Sequence, residues 1–193
     1  MSRPREFNES QVIEKAMQVF WTQGYEASSL KDLTHAMGLS KSSLYDTFGS
    51  KHDLFLATID YYRENVTGKV RSAANLDAPA RHVIKAILGR AVDRILAPDG
   101  RRGCFLNNTA VEVGMHDPEA RARCQSGMAV MEQTMHKLVV RGQSEGDISS
   151  TKSARALARF MTSTINGVMV IGKANPDRAV LDDIVEIAVS AMD

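Results

Sequence analysis

A chain of 193 residues can form one sizeable helical domain, or a small domain joined to a larger one. Its 44% hydrophobic and 24% charged side chains exclude a disordered or low-complexity polypeptide. A net charge of +1 (24 Lys and Arg against 23 Asp and Glu) means that any nucleic-acid partner must be met by where charges sit, not by their sum. Nearly every segment reads at helical spacing. Asn8 is a good N-cap, and Val12, Ile13, Ala16, Met17, Val19 and Phe20 recur at steps of three and four until Gly24. Ser28 or Ser29 caps a second helix with Leu30, Leu33, Ala36 and Met37, which Gly38 ends. Ser40 opens a third, of about two turns, that stops near Thr47 to Gly49. Ser50, with Asp53 in the capping-box place, starts a longer helix through Phe55, Ile59, Tyr62 and Val66 to about Ser72.

The next helix follows Asp77 and Pro79, with Val83, Ile84, Ile87, Leu88, Val92 and Ile95 on one face, and "APDGRRG" ends it in a turn. Cys104 to Met115 reads as a short helix, and Asp117 followed by Pro118 opens another that runs to about Gly142. After the "SEGDISS" loop, Ser150 or Thr151 starts an apolar helix to Gly172, and a last helix follows Pro176. No stretch alternates like a strand, repeats internally or resembles a glycine-rich phosphate loop. The longest apolar run, Phe160 to Gly172 between Arg159 and Lys173, is too short to span a bilayer, and the first ten residues lack the apolar stretch of a secretory signal. With two cysteines, this points to a reducing cytoplasm. The histidines and cysteines have no metal-ligand spacing, and no nucleophile motif is present, so neither a metal, a cofactor nor an enzyme activity is expected.

The two short helices around Gly38 have the outline of a helix-turn-helix. Gly38 gives the turn, while Leu33, Leu39 and Leu44 fix both helices onto the first. A helix that enters the major groove must present small polar groups, as Lys41, Ser42, Ser43, Tyr45 and Asp46 would. The outline alone also fits a surface hairpin whose serines are merely solvated. The wider stretch "LKDLTHAMGLSKSSLYDTFGSKHDLF" closely resembles the DNA-binding segment of the TetR/AcrR family of bacterial transcriptional regulators, with Gly49 where many relatives carry Lys or Pro and His52 where Glu is frequent. Glu9 to Phe55 carry the resemblance. It implies an all-α protein, with a DNA-binding helix-turn-helix domain over 1–50 and a ligand-binding and dimerisation domain over 51–193. It implies further that Lys41, Ser42, Ser43 and Asp46 face base edges and that Tyr45 meets phosphate. Ser28, Ser29 and Lys51 would meet the DNA backbone at helix starts, and Thr47, Lys31, His35, Arg3 and Arg5 are lesser contacts. Phe48 is expected in the core. Asp46 and the uncharged Gly49 leave few cations for phosphate and imply a modest salt dependence.

The helix ending at Gly172 carries apolar or small side chains almost all round, so it must be covered on two sides. Its own core supplies one cover. A partner's matching pair supplies the other, with Leu181, Ile184, Val185 and Ala188, in a four-helix dimer interface through the last two helices; a fully buried helix in a monomer is the alternative. On the preceding short helix Cys104, Asn107, Asn108, Val111 and Met115 share a face expected to turn inward as a pocket wall. Phe105, Glu112, Met128, Met131 and Phe160 are further candidates, with His82, Arg90, Met135 and Asn166, and ten methionines suit an adaptable cavity. No charged cluster stands out, which predicts an apolar or weakly polar ligand. "GCF" at Gly103 to Phe105 is similar to a branch of the family that includes regulators of electrophile and aldehyde detoxification, where this cysteine can be reactive. A helix N-terminus after Arg101 and Arg102 would favour the thiolate, whereas a packed, inert thiol is the plainer reading. Read together, these features predict a ligand-responsive repressor, homodimeric on a palindromic operator and released by a small apolar or electrophilic effector. A helical dimeric scaffold without an operator is the rival.

Overall fold

The computed structural model describes residues 8–193, and all the regular structure among them is helical. Helices α1 (Glu9–Gln23), α2 (Leu30–Met37) and α3 (Lys41–Phe48) begin at side-chain caps from Asn8, Ser29 and Ser40. They end at Gly24, Gly38 and Gly49, all at positive φ, where a Cβ would be strained. Ser29 and Asp32 complete a capping box. The helix that Ser50 caps is α4 (Lys51–Tyr62); it winds through a π-helical turn at Arg63–Thr67 into α5 (Gly68–Ala73), where the sequence indicated one regular helix. A π turn inserts a residue into the ladder and re-aims the axis, commonly where function needs it.

Then come α6 (Ala80–Leu96), α7 (Phe105–Glu112), α8 (Pro118–Glu145), α9 (Ala154–Ala174) and α10 (Arg178–Ser190). Three boundaries differ from the sequence reading, each for a local reason. α7 stops at Glu112, because the chain must turn within a few residues to bring Asp117 to the start of α8. α8 passes through Gly142, whose missing side chain makes room for Ile148, and stops at the left-handed Gly146. α9 starts at Ser153, since the amide of Gln143 binds the carbonyls of Ser149 and Lys152 (both 2.9 Å) and keeps that loop out of the helix.

Two hydrophobic clusters hold the molecule. The first joins α1 to α4 around Phe20, Leu33, Leu44, Phe55 and Ile59, and includes Phe105, Leu106, Val113, Ala120 and Cys124 from α7 to the start of α8. Leu33 and Leu44 are fully buried; Leu39 and Phe48 are half-buried against them. The second unites α6, α8, α9 and α10 around Ile84, Leu88, Ile95, Met135, Leu138 and Val168. Cys104 touches both. The outer side of the last two helices is uncovered, with Phe160, Val170 and Ile171 of α9 and Val180 and Ile187 of α10 exposed. Leu181, Val185 and Ala188, read from sequence as facing a partner, are buried in the chain's own core, because α10 packs that side against α6 and α9. Among the described residues no helix is long and apolar enough to cross a membrane.

Candidate nucleic-acid interface and ligand cavity

The exposed surface of α3 is short and polar. Its first turn is a hydroxyl cluster, in which Ser40 Oγ accepts from Ser43 N at 3.1 Å and lies 2.9 and 2.8 Å from the hydroxyls of Ser42 and Ser43. Lys41, Ser42, Tyr45 and Asp46 are exposed, Ser43 and Thr47 half-buried, and the Lys41 ammonium lies 5.9 Å from the Tyr45 ring centroid. These groups share one convex surface. Lys31, His35 and the cap Ser29 are exposed on α2. Two backbone candidates are tied internally. Ser28 is only 2% exposed and its hydroxyl donates to the Gly24 carbonyl at 2.5 Å, which removes it from any phosphate. The Lys51 ammonium donates to the Tyr25 carbonyl at 2.6 Å and sits 4.5 Å from that ring's centroid, so it braces α4 against the α1–α2 turn. Arg3 and Arg5 lie outside the described residues.

A cavity of about 280 Å³ lies where α4, the π turn and α5 meet α6, α7, α8 and α9. Of the predicted ligand residues it gathers Cys104, Asn107, Met128 and Met131, with Arg90 and Asn166 from the wider set. The others lie elsewhere. Val111 and Met115 are 86% and 81% exposed, contrary to the inward face expected, because α7 buries Phe105, Leu106 and Thr109 instead. Phe105 packs among Trp21, Phe55 and Tyr62, and Phe160 points outward. Asn108 donates to the Arg102 carbonyl at 2.7 Å. Glu112 accepts from the Glu26 amide at 3.0 Å and so clasps the α1–α2 turn. Met135 is core, and His82 lines a separate surface depression.

Sequence reasoning missed Tyr62, Lys69 and Arg94. All three line the cavity, and Lys69 and Arg94 join Arg90 in a group of three cations where the sequence showed no charged cluster. The signal was present: Ile87, Arg90, Ala91 and Arg94 follow at steps of three and four, two arginines on a face that is otherwise apolar. Tyr62 Oη donates to Cys104 Sγ (3.7 Å) and accepts from Arg94 (3.3 Å). Burial pushes the Tyr62 hydroxyl well up, Cys104 adds to this and Arg94 opposes it, so the phenol keeps its proton. Trp21, from α1, has Arg94 and Arg102 at 5.2 and 4.7 Å from its ring and Tyr62 edge-on at 5.1 Å. Arg102 is turned to Trp21, Gln18 and Asp99. Both cysteines are free; burial, with Cys104 and Asp117 nearby, pushes Cys124 up to about 12.

The description "Tetracyclin repressor-like, C-terminal domain" matches residues 80–188, and "Bacterial regulatory proteins, tetR family" matches residues 12–58. The chain belongs to the TetR family. It is 29% identical over 194 residues to the uncharacterized HTH-type transcriptional regulator YezE of Bacillus subtilis, with 100% of each chain covered. It is 28% identical over 189 residues to the HTH-type transcriptional repressor ComR of Escherichia coli, covering 96% of this chain and 88% of that protein. Among solved structures, a cysteine mutant of the TetR family transcriptional regulator CifR, complexed with 26bp double-strand operator DNA, superimposes with a TM-score of 0.88 at 29% identity, over 99% and 100% of the two chains. In TetR family terms the chain is therefore a DNA-binding transcriptional regulator, with α2 and α3 as its helix-turn-helix.

Proposed function

We propose that this regulator is a cytoplasmic repressor whose homodimer sets one α3 into each of two major grooves of a palindromic operator. It leaves the DNA when a small apolar or electrophilic molecule enters the cavity. The observation that carries the reading is the pairing of an exposed, largely polar α3 with a cavity against the helix that follows it. Lys41, Ser42, Ser43 and Asp46 read base edges, Tyr45 binds phosphate, and Ser29 and Thr47 flank the backbone. Two-fold symmetry spaces the half-sites by about 34–36 Å or slightly more. The uncovered apolar side of α9 and α10 is the dimer face.

The ligand acts through α4. Tyr62 and Val66 line the cavity at the π turn, and α4 leads straight back to α3. An occupant that fits only a splayed arrangement shifts the equilibrium away from the DNA-competent one. An electrophile would act at Cys104, which is half-buried, lines the cavity and opens also onto the outer groove beside α1. The deciding experiment is fluorescence anisotropy against DNA from upstream of the protein's own gene, at fixed salt. Tyr45→Ala should weaken sequence-dependent binding by at least about tenfold, with helicity and dimerisation unchanged, whereas Ser28→Ala should not. A folded dimer that binds no upstream fragment would favour the scaffold alternative.

A further inference from the structure

The cavity wall is unbalanced in charge. Lys69, Arg90 and Arg94 line it and no Asp or Glu does. Several arginines elsewhere find carboxylates, as Arg178 does with Asp93, Arg123 with Asp60 and Arg155 with Glu132. Among the described residues, none of the three wall cations has a carboxylate within 4.0 Å. Asp93, beside Arg94 in sequence, is engaged by Arg178; of the two acids that line the neighbouring surface cleft with Lys69 and Arg94, Asp99 is engaged by Arg102 and Glu14 lies against the Tyr61 hydroxyl. Arg94 is half-buried, held only by the Tyr62 hydroxyl and two aromatic faces. A guanidinium withdrawn from water without a counter-charge leaves a fork of donors matched to a carboxylate.

A second observation points the same way. Asn107 lines the cavity, and its Nδ2 is buried without a hydrogen-bond partner. A buried donor left unmade is costly, and a ligand acceptor would satisfy it. Much of the rest of the wall is apolar, with Met128, Met131, Ile165 and Met169 among its residues, and Thr162 and Asn166 add two polar groups. The volume, about 280 Å³, is close to the liquid share of nine waters at about 30 Å³ each, and lies at the small end of ligand sites.

We propose that the effector is a compact amphipathic acid, its carboxylate received by Arg94 in the field of Lys69 and Arg90 and its apolar body lying on the methionine wall. This rests on the ligand-responsive reading above and replaces its apolar effector with an acid. The test is calorimetric titration of the full-length protein near neutral pH with octanoate and 4-phenylbutyrate, each beside the alcohol of the same skeleton. Trp21, the one tryptophan in the chain, packs on the wall residues Arg94 and Tyr62 and reports by its emission on filling of the cavity they line. At least one acid should bind about tenfold or more tightly than its alcohol. Arg94→Gln should bring that acid and alcohol within about twofold of each other, and Arg90→Gln, remote from Trp21, should narrow the gap in a protein whose unfolding temperature is unchanged.

Alcohols that bind as tightly as the acids would overturn the proposal. So would no binding of either acid up to its solubility limit, or a preference that survives both substitutions. The same ligands in the operator assay separate this from the wider reading. Acid binding without operator release leaves the site an acid site and removes its effector role; release by the alcohols alone keeps the effector role and removes the acid.

Discussion

Gly24→Ala tests whether the DNA-binding head is fastened to the ligand domain by Glu112. Gly24 has φ +88° and ψ 168°, a region essentially closed to residues with a Cβ. Occupying it costs about 1–3 kcal/mol. A methyl there would also stand 2.8 Å from Glu112 Oε1, the atom that accepts from the Glu26 amide. The carboxylate must withdraw, and an exposed charge-assisted hydrogen bond of about 1 kcal/mol goes with it. Gly24→Ala should therefore lose about 2–4 kcal/mol, a fall of roughly 4–16 °C in unfolding temperature for a chain of this size. Glu112→Ala alone should lose about 1 kcal/mol. Because removing the carboxylate also removes the clash, the double variant should be less destabilised than the two losses together, by about 1 kcal/mol. Thermal and urea unfolding at one protein concentration measure all three. Strict additivity, or a Gly24→Ala protein within 2 °C (about 0.5–1 kcal/mol) of the parent, would refute the clasp.

Cys104→Ser should keep operator affinity and lose release by an electrophile such as N-ethylmaleimide; unchanged release removes Cys104 from the mechanism. Ile187→Glu puts a charge on the uncovered side of α10, where Ile187 is 70% exposed in the single chain. An unpaired charge buried between subunits costs about 3–5 kcal/mol, so sedimentation should show dimer dissociation raised by a hundredfold or more, and a persistent dimer would move the interface elsewhere. Asp117 caps α8 and meets His52 Nε2 at 2.8 Å. Burial pushes its carboxyl up, but hydrogen bonds from the Ala120 amide, His52 and the Glu119 amide outweigh that and hold it below the usual range. Its unfolded form therefore binds the proton more readily, so its contribution is present above about pH 4 and lost as pH falls through the depressed value. Asp117→Asn keeps a capping oxygen, and the difference in stability from the parent should shrink between about pH 5 and pH 3; a constant difference would contradict the assignment.

The parts legible in the sequence are those fixed by neighbours within four residues. Asn8, Ser29, Ser40, Ser50 and Asp117 cap where their spacing said they would, and Gly24 and Gly38 stop the helices before them, because caps and left-handed stops are local chemistry. What failed was the assignment of faces. A helix as short as α7 gives two turns from which to read a direction: Val111 lost the inward face to Phe105 and Leu106, and Met115 fell outside the helix altogether. The cationic wall was hidden for another reason. Lys69 comes from α5 and the two arginines from α6, so only packing brings them to one cavity. Glu112 and Glu26 are 86 residues apart, and no local pattern can announce such a pair.

Those long-range contacts change how a signal must travel. A head joined to the ligand domain by α4 alone could swing on that helix, but here Phe105, Leu106, Val113 and Ala120 belong to the head's own core. Glu112 on Glu26 and Asp117 on His52 tie its rim as well. A motion that left those contacts intact would turn α1 to α4 with α7 and the start of α8 against the second cluster. The π turn stands at that border: Val66 packs with the first cluster, Val70 with the second. Asn107 and Tyr62 would then lie on the head's side, Arg90, Met131 and Ile165 on the other, with Cys104 touching both. A cavity walled from both sides of a sliding border changes shape whenever the head moves, which makes the affinity of its occupant differ between the two arrangements. Driving the equilibrium from 1:99 to 99:1 requires about 5.5 kcal/mol of such difference. An acid whose carboxylate holds Arg94 and whose apolar body touches both Leu106 of the first cluster and Met131 of the second has contacts on both bodies from which to draw it.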